Sequence, residues 1–166
     1  MPPADFRPRA QLAHLTAYGV DFVVVGGIAA TLHGSDRDTF DLDICPAQDR
    51  GNLEALGKAL IDAEARLRGV EEEVPFVPDG ASLARMQILR LDTSFGPLDV
   101  LIRPDGSPPY RQLRAHAERL DIGTATVLVA SIDDLLEMKR TSDRDKDRID
   151  VETLETIKRL ARKLQR

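Results

Sequence analysis

The sequence predicts a mixed α/β domain, a small sheet with helices packed against it, and three observations carry that prediction. Short apolar runs rich in Val and Ile, bounded by Gly and Pro, alternate with stretches whose apolar residues recur every three or four positions. The 166 residues are enough for one domain with a real core, and no repeat or long linker divides them. Apolar residues make up 42% and charged residues 31%, the balance of a folded soluble protein rather than a disordered one. The expected organisation is a single domain, 1–166, with a sheet-containing core over 1–130 and C-terminal helices over 131–166.

Residues 8–18 read as a first helix with Leu12 and Leu15 on one face and Gly19 as its stop. Phe22-Val-Val-Val25, between Asp21 and the pair Gly26-Gly27, reads as a strand buried on both faces. A short helix over 28–33 and a polar turn over 34–38 follow. Phe40-Asp-Leu-Asp-Ile44 alternates strictly, with Phe40, Leu42 and Ile44 expected in the core, and Pro46 ends it. Leu53, Leu56, Leu60, Ala63 and Leu67 predict a long helix over 49–69. Two strands, 84–93 and 98–103, are joined by the turn Ser94-Phe-Gly-Pro97, and a helix is expected over 110–120. Residues 124–129 read as a strand. Ser131-Ile-Asp-Asp134 resembles a capping box opening a helix to about Lys139 or Arg140. After the polar linker 141–144, a last helix carries Leu154, Ile157, Ala161 and Leu164 at helical spacing.

No run of 18 apolar residues exists, so a membrane span is not expected. The start of the chain lacks a signal-like apolar stretch, and the single cysteine, Cys45, has no internal disulfide partner. Both point to the cytoplasm. The net charge of −5 is unevenly spread: residues 139–166 carry +4 and the preceding 138 carry −9. A basic end beside an acidic body permits a polyanionic partner, and it equally describes an ordinary solvated helix.

Asp41 and Asp43 sit at i and i+2 of the alternating segment, so on a strand both point to one face. Two carboxylates so close keep their charges cheaply only with a cation between them, and Mg²⁺ (or Mn²⁺) suits them because it also takes phosphate oxygens. Asp-x-Asp alone fits the polar face of an edge strand just as well. Asp99, the one charge in the apolar run Gly96-Pro-Leu-Asp-Val-Leu-Ile102, adds a third carboxylate whose burial calls for a partner. On adjacent strands the three can hold two metals about 3.5–4 Å apart, the arrangement used for in-line displacement at phosphorus, with Asp99 as candidate general base. Gly26-Gly27, at a strand-to-helix junction, offers a phosphate cradle, although a plain tight turn is its commoner meaning.

Val25-Gly-Gly-Ile-Ala-Ala-Thr-Leu-His-Gly34, then Arg37, Thr39 and Asp41-Leu-Asp43, resembles the opening of the nucleotidyltransferase superfamily, and more narrowly its AbiEii/MenT-type toxin branch. Val129 to Lys139, then Arg144-Asp-Lys-Asp147 and Asp150, are similar to that branch's second block, so the likeness runs from about residue 20 to residue 155. The resemblance implies metal ligation by Asp41, Asp43 and Asp99, and a nucleotide triphosphate held at Gly26, Gly27, Arg37, Thr39 and Lys139. It further implies that Asp147 orients or opposes Lys139. The sequence departs from the pattern at Ile28, where a hydroxyl-bearing residue is usual; Ser35 or Thr39 are the replacements at hand. It is also short for the toxin branch, whose larger helical region holds RNA.

The same resemblance implies an enzyme that moves a nucleoside monophosphate from an NTP to an acceptor hydroxyl, a tRNA 3′ end if the protein is the toxin of a toxin–antitoxin pair. Two alternatives stand beside it: an antitoxin that transfers AMP to a partner protein, and a catalytically silent nucleotide- or partner-binding module. Lys139 also fits a surface lysine at a helix C-terminus, Asp147 and Asp150 fit first-turn helix acids, and Arg37 fits a surface arginine. His33 reads as a helix-end packing residue and Cys45 as a small apolar one; Phe76 and Tyr110 are too isolated to form a base-stacking platform.

Overall fold

The apolar run between Asp21 and Gly26 forms strand β1 (Phe22–Val25), all four residues buried. In the computed structural model of the protein, which describes residues 6–69, 78–104, 106–142 and 145–164, this strand lies inside a seven-stranded mixed sheet. On one side it pairs antiparallel with β2 (Leu42–Pro46), and on the other parallel with β7 (Thr126–Val129). Beyond β2 come β5 (Gly96–Leu101), parallel to it, then β4 (Ile88–Thr93) and the two-residue β3 (Arg66–Leu67), each antiparallel to its neighbour. Beyond β7 lies the edge strand β6 (Glu118–Asp121). The order is therefore β3-β4-β5-β2-β1-β7-β6. A mixed α/β fold is what the alternation of patterns predicts.

Helices α1 (Pro8–Ala17), α2 (Gly26–Leu32), α3 (Arg50–Asp62), α4 (Gly80–Leu83), α5 (Tyr110–His116), α6 (Ile132–Ser142) and α7 (Asp145–Leu164) complete the described elements. Leu12 and Leu15 of α1 are buried, as their spacing predicts. So are Leu53, Leu56, Ala59 and Leu60 of α3, whose N-terminus is capped by Asp49 accepting from the Asn52 backbone N–H at 3.0 Å. The buried Asn52 side chain donates to the carbonyls of Asp21 and Ala47 and accepts from the Asp21 N–H. One amide thus ties α3 to the start of β1 and the end of β2 with every polar group satisfied. Among the described residues no helix is long and apolar enough to cross a membrane.

Several sequence expectations are corrected. The helix predicted over 49–69 stops at Asp62, because Glu64 takes a left-handed conformation (φ 54°) and Leu67 turns into β3. The helix predicted to Leu120 stops at His116; Ala117 is extended and the next four residues pair with β7. Phe40 is not a core residue: ladder pairing with β5 begins at Leu42, so the in–out alternation does not reach it, and it is 44% exposed. On α7 only Leu154 of the predicted apolar face is buried, and Leu164 is 88% exposed. The linker expected at 141–144 is partly helix, since α6 continues to Ser142; residues 143 and 144, like Phe76, lie outside the described residues.

Candidate active site

Sheet register brings the carboxylates together. Val25 of β1 faces Asp43 of β2, Asp43 faces Asp99 of β5, and Asp99 faces Arg90 of β4, one rung across four strands. Because β2 and β5 are parallel and in register, Asp43 and Asp99 project from the same face. Asp41 sits just before the paired part of β2 on the same side. One carboxylate oxygen from each of Asp41, Asp43 and Asp99 lies within 4.8 Å of the others, a grouping that can hold a metal ion.

The trio lies in a cleft of about 940 Å³. Gly26, Gly27, Arg37, Thr39 and Lys139 line the same cleft, so the structure brings together the residues singled out in sequence, with one exception. Asp147 falls in α7, but its side chain lies outside those described. Among the described side chains, Asp150 is an acid against Lys139: its Oδ2 is 3.0 Å from Lys139 Nζ, and its Oδ1 is paired with Arg37. Asp150, which the sequence offers both as part of the resembling second block and as a helix-start acid, here holds two cations at one wall of the cleft.

Glycine is required at the junction of β1 and α2. Gly26 has φ +68°, and a Cβ there would lie 2.0 Å from Asp43 Oδ2. A Cβ on Gly27 would lie 2.6 Å from Thr39 Oγ1. The glycine pair therefore lets the backbone reach the acidic cluster, and Thr39 stands against it.

Burial is the main electrostatic stress on the cluster. It pushes Asp43 up to about 8, helped by the charges of Asp41 and Asp99 and a hydrogen bond to Asp99, with Lys139 opposing. Asp99 is raised too, chiefly by burial and against the pull of Arg68. Arg68, on the chain just past β3, places Nη2 3.1 Å from Asp99 Oδ1 and Nε 3.4 Å from Asp92 Oδ1. Asp99 Oδ1 is nevertheless buried without any hydrogen bond among the described residues. Three carboxylate oxygens within 4.8 Å of one another, one of these acids also holding a buried oxygen that accepts no hydrogen bond, form an all-oxygen donor set of the kind hard cations take, so the residues fit Mg²⁺ or Mn²⁺.

Sequence reasoning missed Arg68 and Arg90. Arg90 was within reach, since counting back from the Ser94-Phe95 turn pairs it with Asp99. Arg68 had no local signal, because a two-residue strand leaves no periodicity.

The structure is similar to that of the lincosamide antibiotic adenylyltransferase LnuA in its lincomycin-bound form. The TM-score is 0.61, at 17% identity over 92% of this chain and 99% of that one. The fold is the nucleotidyltransferase fold. The antibiotic-resistance factor ANT(2'')-Ia shares it (TM-score 0.54, 14% identity, 95% of this chain and 90% of that one). So does an antigenic nucleotidyltransferase-like protein from Paracoccidioides brasiliensis (TM-score 0.55, 20% identity, 90% and 72%). No protein-family model matches the chain, and no curated protein matches it in sequence. At these identities the likeness is one of fold, and the site must argue its own chemistry.

Proposed function

We propose that the protein is a metal-dependent nucleotidyltransferase that moves a nucleoside monophosphate from an NTP to an acceptor hydroxyl. The observation that carries this reading is the meeting of Asp41, Asp43 and Asp99 within 4.8 Å, in a cleft that Gly26, Gly27 and Lys139 also line. The nucleotidyltransferase fold supports it.

In the reaction the acceptor oxygen attacks the α-phosphorus, a new P–O bond forms, the bond to the bridging oxygen breaks, and pyrophosphate leaves with that electron pair. The hydroxyl proton passes to a carboxylate, and Asp99 is the base we assign. Asp41, Asp43 and Asp99 would hold Mg²⁺ or Mn²⁺, which when bound neutralises charge on the triphosphate and acidifies the attacking hydroxyl. Gly26 and Gly27 give the phosphates close access to backbone N–H groups at the start of α2. Lys139 and Arg37, steadied by Asp150, supply positive charge on the triphosphate side, and Thr39 offers a hydroxyl beside the glycines. The work of the protein is positioning and charge neutralisation.

For the acceptor we place an RNA 3′ end first, with tRNA as the form suggested by the sequence resemblance; the protein would then be a toxin with a cognate antitoxin. The basic end of α7, with Arg159, Arg162 and Lys163 exposed, favours this reading. A second reading, a small hydroxylated antibiotic, is favoured by the match over 99% of the lincomycin-bound adenylyltransferase. The deciding experiment offers each α-labelled NTP and Mg²⁺ to total RNA, lysate protein, lincomycin and tobramycin, beside an Asp41→Ala/Asp43→Ala control. Label in RNA, dependent on the two aspartates, supports the toxin reading; label in an antibiotic supports the second. Label from ATP in protein supports the reading of an AMP-transferring antitoxin. NTP binding with no transfer leaves a silent module, and no NTP binding overturns the site.

A further inference from the structure

Arg68 is placed where a cation is needed and yet does not bond the atom that needs it. Its Nη2 lies 3.1 Å from Asp99 Oδ1, while that oxygen, buried, accepts no aligned hydrogen bond among the described residues. The same guanidinium has two other attachments. Nη2 donates to the Leu91 carbonyl at 2.9 Å, and Nε faces Asp92 Oδ1 at 3.4 Å. Asp92 is on the solvent side of the cluster, its side chain 52% exposed, whereas the Asp99 side chain is 16% exposed. The arginine therefore stands between an inner carboxylate and an outer one, anchored to β4 by the Leu91 carbonyl and touching both.

An arginine normally meets a carboxylate through its fork, with two aligned N–H groups. Here the contact with Asp99 is close in distance and unaligned, so it supplies charge without occupying the oxygen's lone pairs. A divalent cation bound by Asp99 would lie within a few ångströms of the guanidinium and be repelled by it. Arg68 would relieve that repulsion by giving up Asp99 for Asp92, which its Nε already faces. Building on the metal-dependent reading above, we propose that Arg68 is a resident counter-ion of Asp99 that competes with the divalent cation and transfers to Asp92 when the cation binds. The acidic cluster is thereby kept from gathering cations tightly without substrate, and the metal affinity of the cleft is set by a side chain outside the ligand set.

The test is Mn²⁺ binding to the full chain without nucleotide, read by electron spin resonance of free Mn²⁺ and by calorimetry, for a double-mutant cycle of Arg68→Gln and Asp92→Asn. Arg68→Gln should bind Mn²⁺ roughly tenfold tighter than the unaltered protein. Arg68→Lys, which keeps the charge, should stay near it. Asp92→Asn should bind several-fold weaker, because Arg68 then has only Asp99, and this weakening should largely vanish when Arg68 is already Gln. Equal or weaker binding by Arg68→Gln, with circular dichroism unchanged, overturns the inference. So do additive effects in the cycle, which would mean that each charge acts independently through space. Should Arg68→Gln fail to fold, the Arg68→Lys and Asp92→Asn pair decides: no weakening by Asp92→Asn overturns the proposal. Absence of Mn²⁺ binding by the unaltered protein overturns the metal-dependent reading and this one with it, an outcome distinct from all the others.

Discussion

Gly26 and Asp43 are packed so closely that a Cβ on the glycine would overlap the carboxylate, 2.0 Å from Oδ2. The backbone of the strand–helix junction and the central acid of the cluster were thus shaped against each other. Gly26→Ala would meet both this clash and the left-handed φ of +68°. We expect a stability loss of about 1–3 kcal/mol and a displaced Asp43. Thermal unfolding should show the first, and loss of Mn²⁺ affinity the second.

Replacing Asp99 by Asn keeps size and removes both a metal ligand and the assigned base. Transfer should fall by about 10²–10⁴-fold while the unfolding temperature holds or rises, since a buried charge is relieved. Labelled-NTP transfer and a thermal scan on the same sample check both halves. A stable Asp99→Asn protein with full transfer activity would remove Asp99 from the reaction.

The raised Asp43 has a stability signature whose direction can be worked out. Unfolded, the carboxyl titrates near its ordinary 3.8; folded and free of metal, it holds its proton up to about 8. Between those values the folded state binds more protons, so the stability conferred is full below the lower value and lost as pH rises through the upper one. In chelator the protein should be less stable at about pH 9 than at about pH 6, and added Mg²⁺ should restore stability most at the higher pH. Asp43→Asn should flatten the chelator profile.

Asp150 holds Lys139 and Arg37 from one carboxylate. If these cations face the triphosphate, Asp150→Ala should raise the KM for NTP about 3–10-fold with a smaller change in kcat, and Lys139→Ala should raise it further. Steady-state kinetics over NTP concentration separates the two parameters.

Asp134 provides a prediction independent of the chemistry. It is 3% exposed and accepts from Gln112 Nε2 and His116 Nδ1, each at 3.0 Å, tying α5 to α6. Asp134→Ala removes both hydrogen bonds, but Gln112 Nε2 keeps Glu137 Oε2 at 3.3 Å and the His116 side chain is 54% exposed. The loss should therefore be about 1 kcal/mol in urea unfolding, with Mn²⁺ binding unchanged.

The parts legible in the sequence were those written in consecutive residues. Four apolar residues before two glycines read as a strand buried on both faces, and the Asp41–Asp43 spacing together with the lone charge at Asp99 pointed to the acidic cluster. What escaped depended on distant partners. Leu67 kept helical spacing with Leu60 and Ala63, yet a left-handed Glu64 and a place beside β4 turned it into strand. Phe40 obeyed the alternation but lay ahead of the ladder that gives alternation its meaning. The Arg37–Asp150 pair joins residues 113 positions apart, and no local pattern encodes such a contact.

The rung running from Val25 through Asp43 and Asp99 to Arg90 makes the site all-or-nothing with respect to chain length. Adding or deleting one residue inside β2 or β5 turns every following side chain to the opposite face, and the aspartate downstream of the change goes with them. The connections at 34–36 and 106–109 carry no such register constraint. Descendants of this chain can therefore remodel the rim of the cleft by insertion while the acidic centre, held by strand register, is passed on unchanged or lost at a stroke.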